Sequence, residues 1–262
     1  MKLSISNIGW SSEWDETVYS LMQKYGYSSL EVAPTKLYPD KPYDKLCAAE
    51  QWSRELKKTY GFSVSSMQSI WFGRKEKLFG SAEERKVLLN YTKKAINFAA
   101  AIGCKNLVFG CPRNRELPEK ANDDSAVAFF KELGDYAALK GTAIGLEANP
   151  PIYHTNYIND TMSAIKLIEQ VNSSGFMLNL DVGTMLYNGE NVGKLADYVH
   201  LINHVHISEP NLRPIEFHEL HQKLKKILIK GMYSGTVSIE TGKIDNISVI
   251  EDALRYVKGV FS

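Results

Sequence analysis

The chain has 262 residues, of which 44% are hydrophobic, with 31 basic and 30 acidic side chains and a formal net charge of +1. That is ample apolar material for a large core. The near-neutral balance argues against a nucleic-acid partner, and an odd count of three cysteines (Cys47, Cys104, Cys111) without a CxxC argues against a disulfide framework or a zinc ribbon.

The opening MKLSISNIGW lacks a basic stretch followed by a long apolar run, so it does not read as a signal peptide. No uncharged apolar stretch approaches the ~20 residues that span a bilayer. The expectation is a cytoplasmic protein without a membrane partner.

The first strand runs from Leu3 to Gly9, and a weak repeat follows it. A helical pattern ends near a glycine, and a short β-rich run comes next. Gly26 precedes residues 29–32, Gly61 precedes 62–68, Gly103 precedes 106–109, Gly141 precedes 143–147, Gly175 precedes 176–181 and Gly235 precedes 236–240. Glycine suits the left-handed residue that closes a helix before the chain turns into a buried strand. Leu201 to Ile207 supplies the remaining strand. Amphipathic patterns alternate with these runs over residues 14–25, 47–60, 82–101, 125–139, 160–171, 193–198, 215–230 and 247–258. Within the seventh, Lys223, Lys225, Lys226 and Lys230 read as a solvated face. Pro34 to Pro42 and Pro112 to Pro118 read as long strand-to-helix loops.

Eight alternating βα units predict parallel strands. No GxGxxG or Walker sequence supports an open doubly wound sheet, and no linker divides the chain. The expected architecture is α/β, one (β/α)8 barrel domain over residues 1–262.

Glu147, Asp181, His206 and Glu240 stand at the ends of strands 5, 6, 7 and 8, spaced by 34, 25 and 34 residues. One βα unit averages roughly 30 residues in such a barrel. The spacing therefore predicts four ligand-type side chains at one height on the catalytic face. Singly, each has an ordinary reading: a helix cap, a hydrogen-bonded histidine such as His204, a salt-bridged glutamate. Together, three desolvated carboxylates repel one another unless a cation joins them. Three oxygens and an imidazole suit one divalent ion, with manganese placed first and magnesium, cobalt or zinc also admissible.

Leu146-Glu147-Ala148-Asn149, Asn179-Leu180-Asp181, His204-Val205-His206-Ile207-Ser208-Glu209 and Ser238-Ile239-Glu240 resemble the four metal-ligand segments of the xylose isomerase-like barrel superfamily. That group includes ketose 3-epimerases, hydroxypyruvate isomerase, inosose isomerases and dehydratases, and endonuclease IV. The resemblance implies that Glu147, Asp181, His206 and Glu240 are metal ligands, and that Glu147 and Glu240 also move protons. It implies a substrate pocket touched by Arg213 and His218, although the arginine is displaced by one position behind Leu212. The usual histidine three residues after the strand-6 aspartate is replaced by Thr184. Gln68 and Gly110 stand where endonuclease IV would need further histidines, which argues against DNA repair.

Trp10, Gln68, Trp71 and Asn149 lie at or just past strand ends and are expected to bind sugar faces and hydroxyls, with packing at the barrel rim as the other reading of the two indoles. Glu31 reads as a pocket residue, a cap or a salt-bridge partner, and Lys36 and Arg74 as solvated loop charges in preference to phosphate-binding groups. The expected function is a divalent-metal-dependent sugar isomerase or epimerase of carbohydrate metabolism acting on a sugar or polyol. The alternatives are an inosose-type dehydratase and a non-catalytic sugar-binding barrel. A homo-oligomer is a further expectation of the resemblance.

Overall fold

The computed structural model describes residues 1–119 and 122–262. Eight parallel strands close in sequence order: β1 Lys2–Ser6, β2 Ser29–Val32, β3 Ser63–Met67, β4 Asn106–Phe109, β5 Ala143–Glu147, β6 Phe176–Asp181, β7 Ile202–Ile207 and β8 Thr236–Ile239. β8 pairs back onto β1 through Leu3 and Val237, so no edge is left unpaired. The expected (β/α)8 architecture is the observed one.

The helices are α1 Asp15–Lys24, α2 Pro34–Leu37, α3 Leu46–Tyr60, α4 Ala82–Ala101, α5 Asp124–Leu139, α6 Thr161–Val171, α7 Val182–Asn188, α8 Glu219–Lys230 and α9 Ile247–Phe261. Two of them depart from the sequence reading. α2 lies inside the Pro34–Pro42 loop, where Pro34 supplies a preset φ at the first helical position. α7 starts directly at the end of β6, and residues 192–197 form only a 3₁₀ turn. The sequence reading placed the sixth crossover helix there. Among the described residues, no helix is long and apolar enough to cross a membrane.

Strand side chains alternate between two environments. Leu107, Ile144, Leu146, Leu178, Leu180, Val205, Ile207 and Val237 are buried in the layer beneath the helices. Full burial of such a side chain contributes about 1.5–3 kcal/mol. The barrel interior is polar instead. Ser65 donates to Ser4 Oγ at 3.0 Å, and Asn106 Nδ2 donates to Ser66 Oγ at 3.0 Å and to Asn179 Oδ1 at 3.2 Å. Buried polar groups are tolerated because they pair across strands. The axis of the barrel is thus lined with fixed dipoles leading up to the mouth.

Candidate metal centre

The C-terminal ends of β5 to β8 carry the four side chains that the spacing selects. Glu147 closes β5, Asp181 closes β6, His206 is the penultimate residue of β7, and Glu240 follows β8. Asp181 lies opposite His206 in the ladder. One potential ligand atom from each of the four lies within 4.8 Å of all the others. His206 Nδ1 is 3.0 Å from Glu147 Oε2 and 3.2 Å from Glu240 Oε2.

Two of the three carboxylates have further partners of their own, whereas among the described residues Glu240 meets only His206. Glu147 Oε1 accepts from Asn149 Nδ2 at 2.9 Å, and its Oε2 accepts from Asn179 Nδ2 at 2.8 Å. Asn149 is steadied by the buried Arg115, whose Nη2 donates to Asn149 Oδ1 at 2.8 Å. Gly110 leaves room for this arrangement, because a Cβ there would sit 2.9 Å from Glu147 Oε1. Asp181 also caps α7: its Oδ1 accepts from the Thr184 amide at 2.6 Å, and Ser208 Oγ donates to its Oδ2. Cap and candidate ligand are therefore the same residue. Thr184 sits in that cap and donates to Ala148 O at 2.9 Å, which ties the end of β6 to that of β5.

The electrostatics fit a cation. Burial, with the charge of Glu147 added, pushes the Asp181 carboxyl up to about 6. Burial raises Glu240 to about 7, even though His206 pulls the other way. The imidazole of His206 stands well above its ordinary range: burial disfavours its charge, but Glu240 and Glu31 overcome that. Crowded carboxylates that must bind protons to coexist are a donor set for a divalent ion, which would displace those protons.

A cleft of about 180 Å³ opens above these groups, lined by Gln68, Cys111, Asn149, Tyr153, Glu209 and Leu212 together with Glu147, Asp181 and Glu240. Tyr153 OH accepts from the Asn211 amide at 2.9 Å and so joins the β5 and β7 loops beside the cleft. Burial pushes the Cys111 thiol up to about 12, which leaves it a poor nucleophile.

Of the six residues expected to touch substrate, the cleft brings together Gln68 and Asn149. Trp10 is buried away from it and donates through Nε1 to Asp15 at 2.7 Å. Trp71 donates to Thr92 at 2.8 Å and packs edge-on against Phe109 and Phe129. Both indoles thus complete the helix layer instead of the cleft wall, because each finds a polar partner on a neighbouring helix. Arg213 is half exposed and points to Glu216 and Glu209 at 3.7 and 4.0 Å. His218 Nε2 lies 2.9 Å from Glu209 Oε1, so it meets the cleft only through Glu209.

The two loop cations are not free charges. Lys36 is half-buried and donates to the carbonyls of Asn7 and Trp10. Arg74 pairs with Glu76 and lies over the Tyr91 ring. Asn179, Ser208 and Glu209 stand inside the segments that carry the resemblance, yet the sequence assigns them no role. Asn179 precedes Asp181 by two residues, and the strand period of two places both on the inner face.

The sequence profile of the xylose isomerase-like TIM barrel family matches residues 19–260. No curated protein matches the chain by sequence. Among solved structures it is similar to D-psicose 3-epimerase with D-tagatose from Clostridium cellulolyticum H10, with a TM-score of 0.78, 14% identity and all of both chains covered. It is also similar to apo 3-keto-D-glucoside 4-epimerase from E. coli, with a TM-score of 0.75, 18% identity and 99% of each chain covered. The IolI protein with a bound zinc atom gives a TM-score of 0.70 at 19% identity, over 99% of this chain and 96% of that one.

Proposed function

Because the chain belongs to the xylose isomerase-like TIM barrel family, we propose that it is a divalent-metal-dependent sugar isomerase or epimerase. The observation that carries the reading is the convergence of Glu147, Asp181, His206 and Glu240 from four consecutive strands beneath an open cleft. Similarity to epimerase structures supports the same class of substrate. We propose manganese as the ion.

When bound, such an ion supplies Lewis-acid polarisation of a substrate carbonyl, which acidifies the neighbouring C–H. The protein's own groups then move the proton. Glu147 and Glu240 come from β5 and β8, with β6 and β7 between them, so they approach the centre from two sides. One carboxylate oxygen takes the proton from carbon. A proton delivered by the other carboxylate to the opposite face of that carbon inverts it, whereas a proton delivered to the former carbonyl carbon, with the neighbouring hydroxyl proton passing to the former carbonyl oxygen, isomerises the sugar. Asn149 and Asn179 keep the Glu147 carboxylate oriented throughout. Gln68 and Asn149 face the cleft with amides suited to sugar hydroxyls.

The test is deuterium wash-in. Metal-loaded protein incubated with a panel of ketoses and inososes in D2O should exchange label at the carbon next to the carbonyl of its substrate. Glu147→Gln and Glu240→Gln should each lower turnover by about 10²–10⁴-fold with unchanged circular dichroism. Full activity in both variants would refute the acid–base assignment. Release of water with formation of an enol chromophore would identify a dehydratase instead.

A further inference from the structure

One fully buried carboxylate acts on the centre from behind its histidine. Glu31, on β2, has no solvent exposure. A buried carboxylate needs donors on both oxygens. Glu31 Oε1 accepts from Gln68 Nε2 at 3.0 Å, and Gln68 is fixed in turn by Ser6 Oγ at 2.7 Å. Glu31 Oε2 lies 2.9 Å from His206 Nε2 and 3.0 Å from His204 Nε2. The two histidine rings stand nearly perpendicular, at 87°, with centroids 5.3 Å apart.

His206 therefore faces two carboxylate environments with its two nitrogens. Nδ1 faces Glu147 and Glu240, and Nε2 faces Glu31. An imidazole binds a metal through an unprotonated nitrogen, so a neutral ring that ligates through Nδ1 must carry its proton on Nε2. We propose that Glu31 is a positioning residue for the metal centre. Its Oε2 accepts the Nε2–H of His206, which fixes the tautomer and ring plane that present the Nδ1 lone pair to the ion. This rests on the reading that Glu147, Asp181, His206 and Glu240 hold a divalent cation.

The surroundings make Glu31 rigid enough for that role. Gln68 holds the other oxygen and also lines the cleft, so it links the substrate wall to the metal ligand through one carboxylate. The edge of His204 limits rotation of the His206 ring. A carboxylate accepting the distal N–H also raises the basicity of the ligating nitrogen. Were Glu31 only filling the barrel core, its replacement would change stability and leave metal affinity alone.

The experiment compares EDTA-treated wild type with Glu31→Gln by calorimetric titration with manganese, with circular dichroism as the check on folding. The wild type should bind one ion per chain, and the folded variant should bind about 10–100-fold more weakly. In zinc-loaded wild type labelled with ¹⁵N-histidine, long-range ¹H–¹⁵N correlation should show His206 protonated at Nε2 and metal-bound at Nδ1. That measurement decides the matter if the variant does not fold. Equal affinity in a folded variant, or metal on Nε2, would overturn the role of Glu31 while leaving the metal centre standing. Two ions per chain, with the second lost in Glu31→Gln, would overturn it too, because Glu31 would then be a ligand. A wild type that binds no divalent ion would instead remove the metal reading itself.

Discussion

At the scale of single residues, the candidate centre crowds buried carboxylates whose joint ionisation is costly without a cation. In the metal-free protein, Asp181 and Glu240 sit at about 6 and about 7, above the ordinary carboxylate range. A carboxyl raised in the folded state stabilises the fold below its unfolded value near 4, and that contribution disappears as pH rises through 6 and 7. Metal binding must release those protons. Affinity for manganese should therefore climb between pH 5 and 8, and titration at pH 6 in buffers of different ionisation enthalpy should register proton release. A pH-independent affinity with no released proton would contradict the assignment. The amide of Asn179 is equally specific. Asn179→Ala should lower activity about 10–100-fold through loss of control over Glu147, and stability by about 1–3 kcal/mol, read from kcat and a urea melt.

At the scale of elements, the ends of β5 to β8 were legible from sequence because each residue type recurs about one βα unit after the last. What the sequence did not disclose was rotamer and partner. Trp10 and Trp71 stand at strand ends as a sugar-facing aromatic would, yet Asp15 and Thr92 draw their indole N–H groups into the helix layer. Arg213 is expected in the cleft, but its guanidinium stands half exposed between Glu216 and Glu209, off the cleft wall. The helix at residues 182–188 leaves no amphipathic pattern in the sequence because it is only about two turns long and its cap is a candidate ligand. That double role is separable. Asn caps a helix about as well as Asp, so Asp181→Asn should leave the metal-free melting temperature unchanged or slightly raised, while manganese affinity falls at least tenfold. By contrast, Ser81→Ala removes only the capping box of α4. It should cost about 1 kcal/mol with activity untouched.

At the scale of the whole molecule, the eightfold alternation makes the barrel readable, and the period of two within each strand sorts its side chains onto two faces. Apolar side chains turn toward the helices and serines, asparagines and histidines turn inward, so the fold is held by a layer that does not touch the candidate metal centre. The identities of the inward hydrogen-bond partners depend on strand register, which no local pattern contains. The barrel should therefore persist without the ion: chelation should leave the circular dichroism spectrum unchanged and lower the melting temperature. An ion at about a thousand times its Kd adds about 4 kcal/mol, and this gap should widen from pH 5 to pH 8 as Asp181 and Glu240 lose their protons. The most direct measurement is anomalous diffraction from a crystal grown with manganese. The account predicts one peak per chain, bounded by Glu147, Asp181, Nδ1 of His206 and Glu240. A peak elsewhere, or none with the four side chains turned apart, would contradict it.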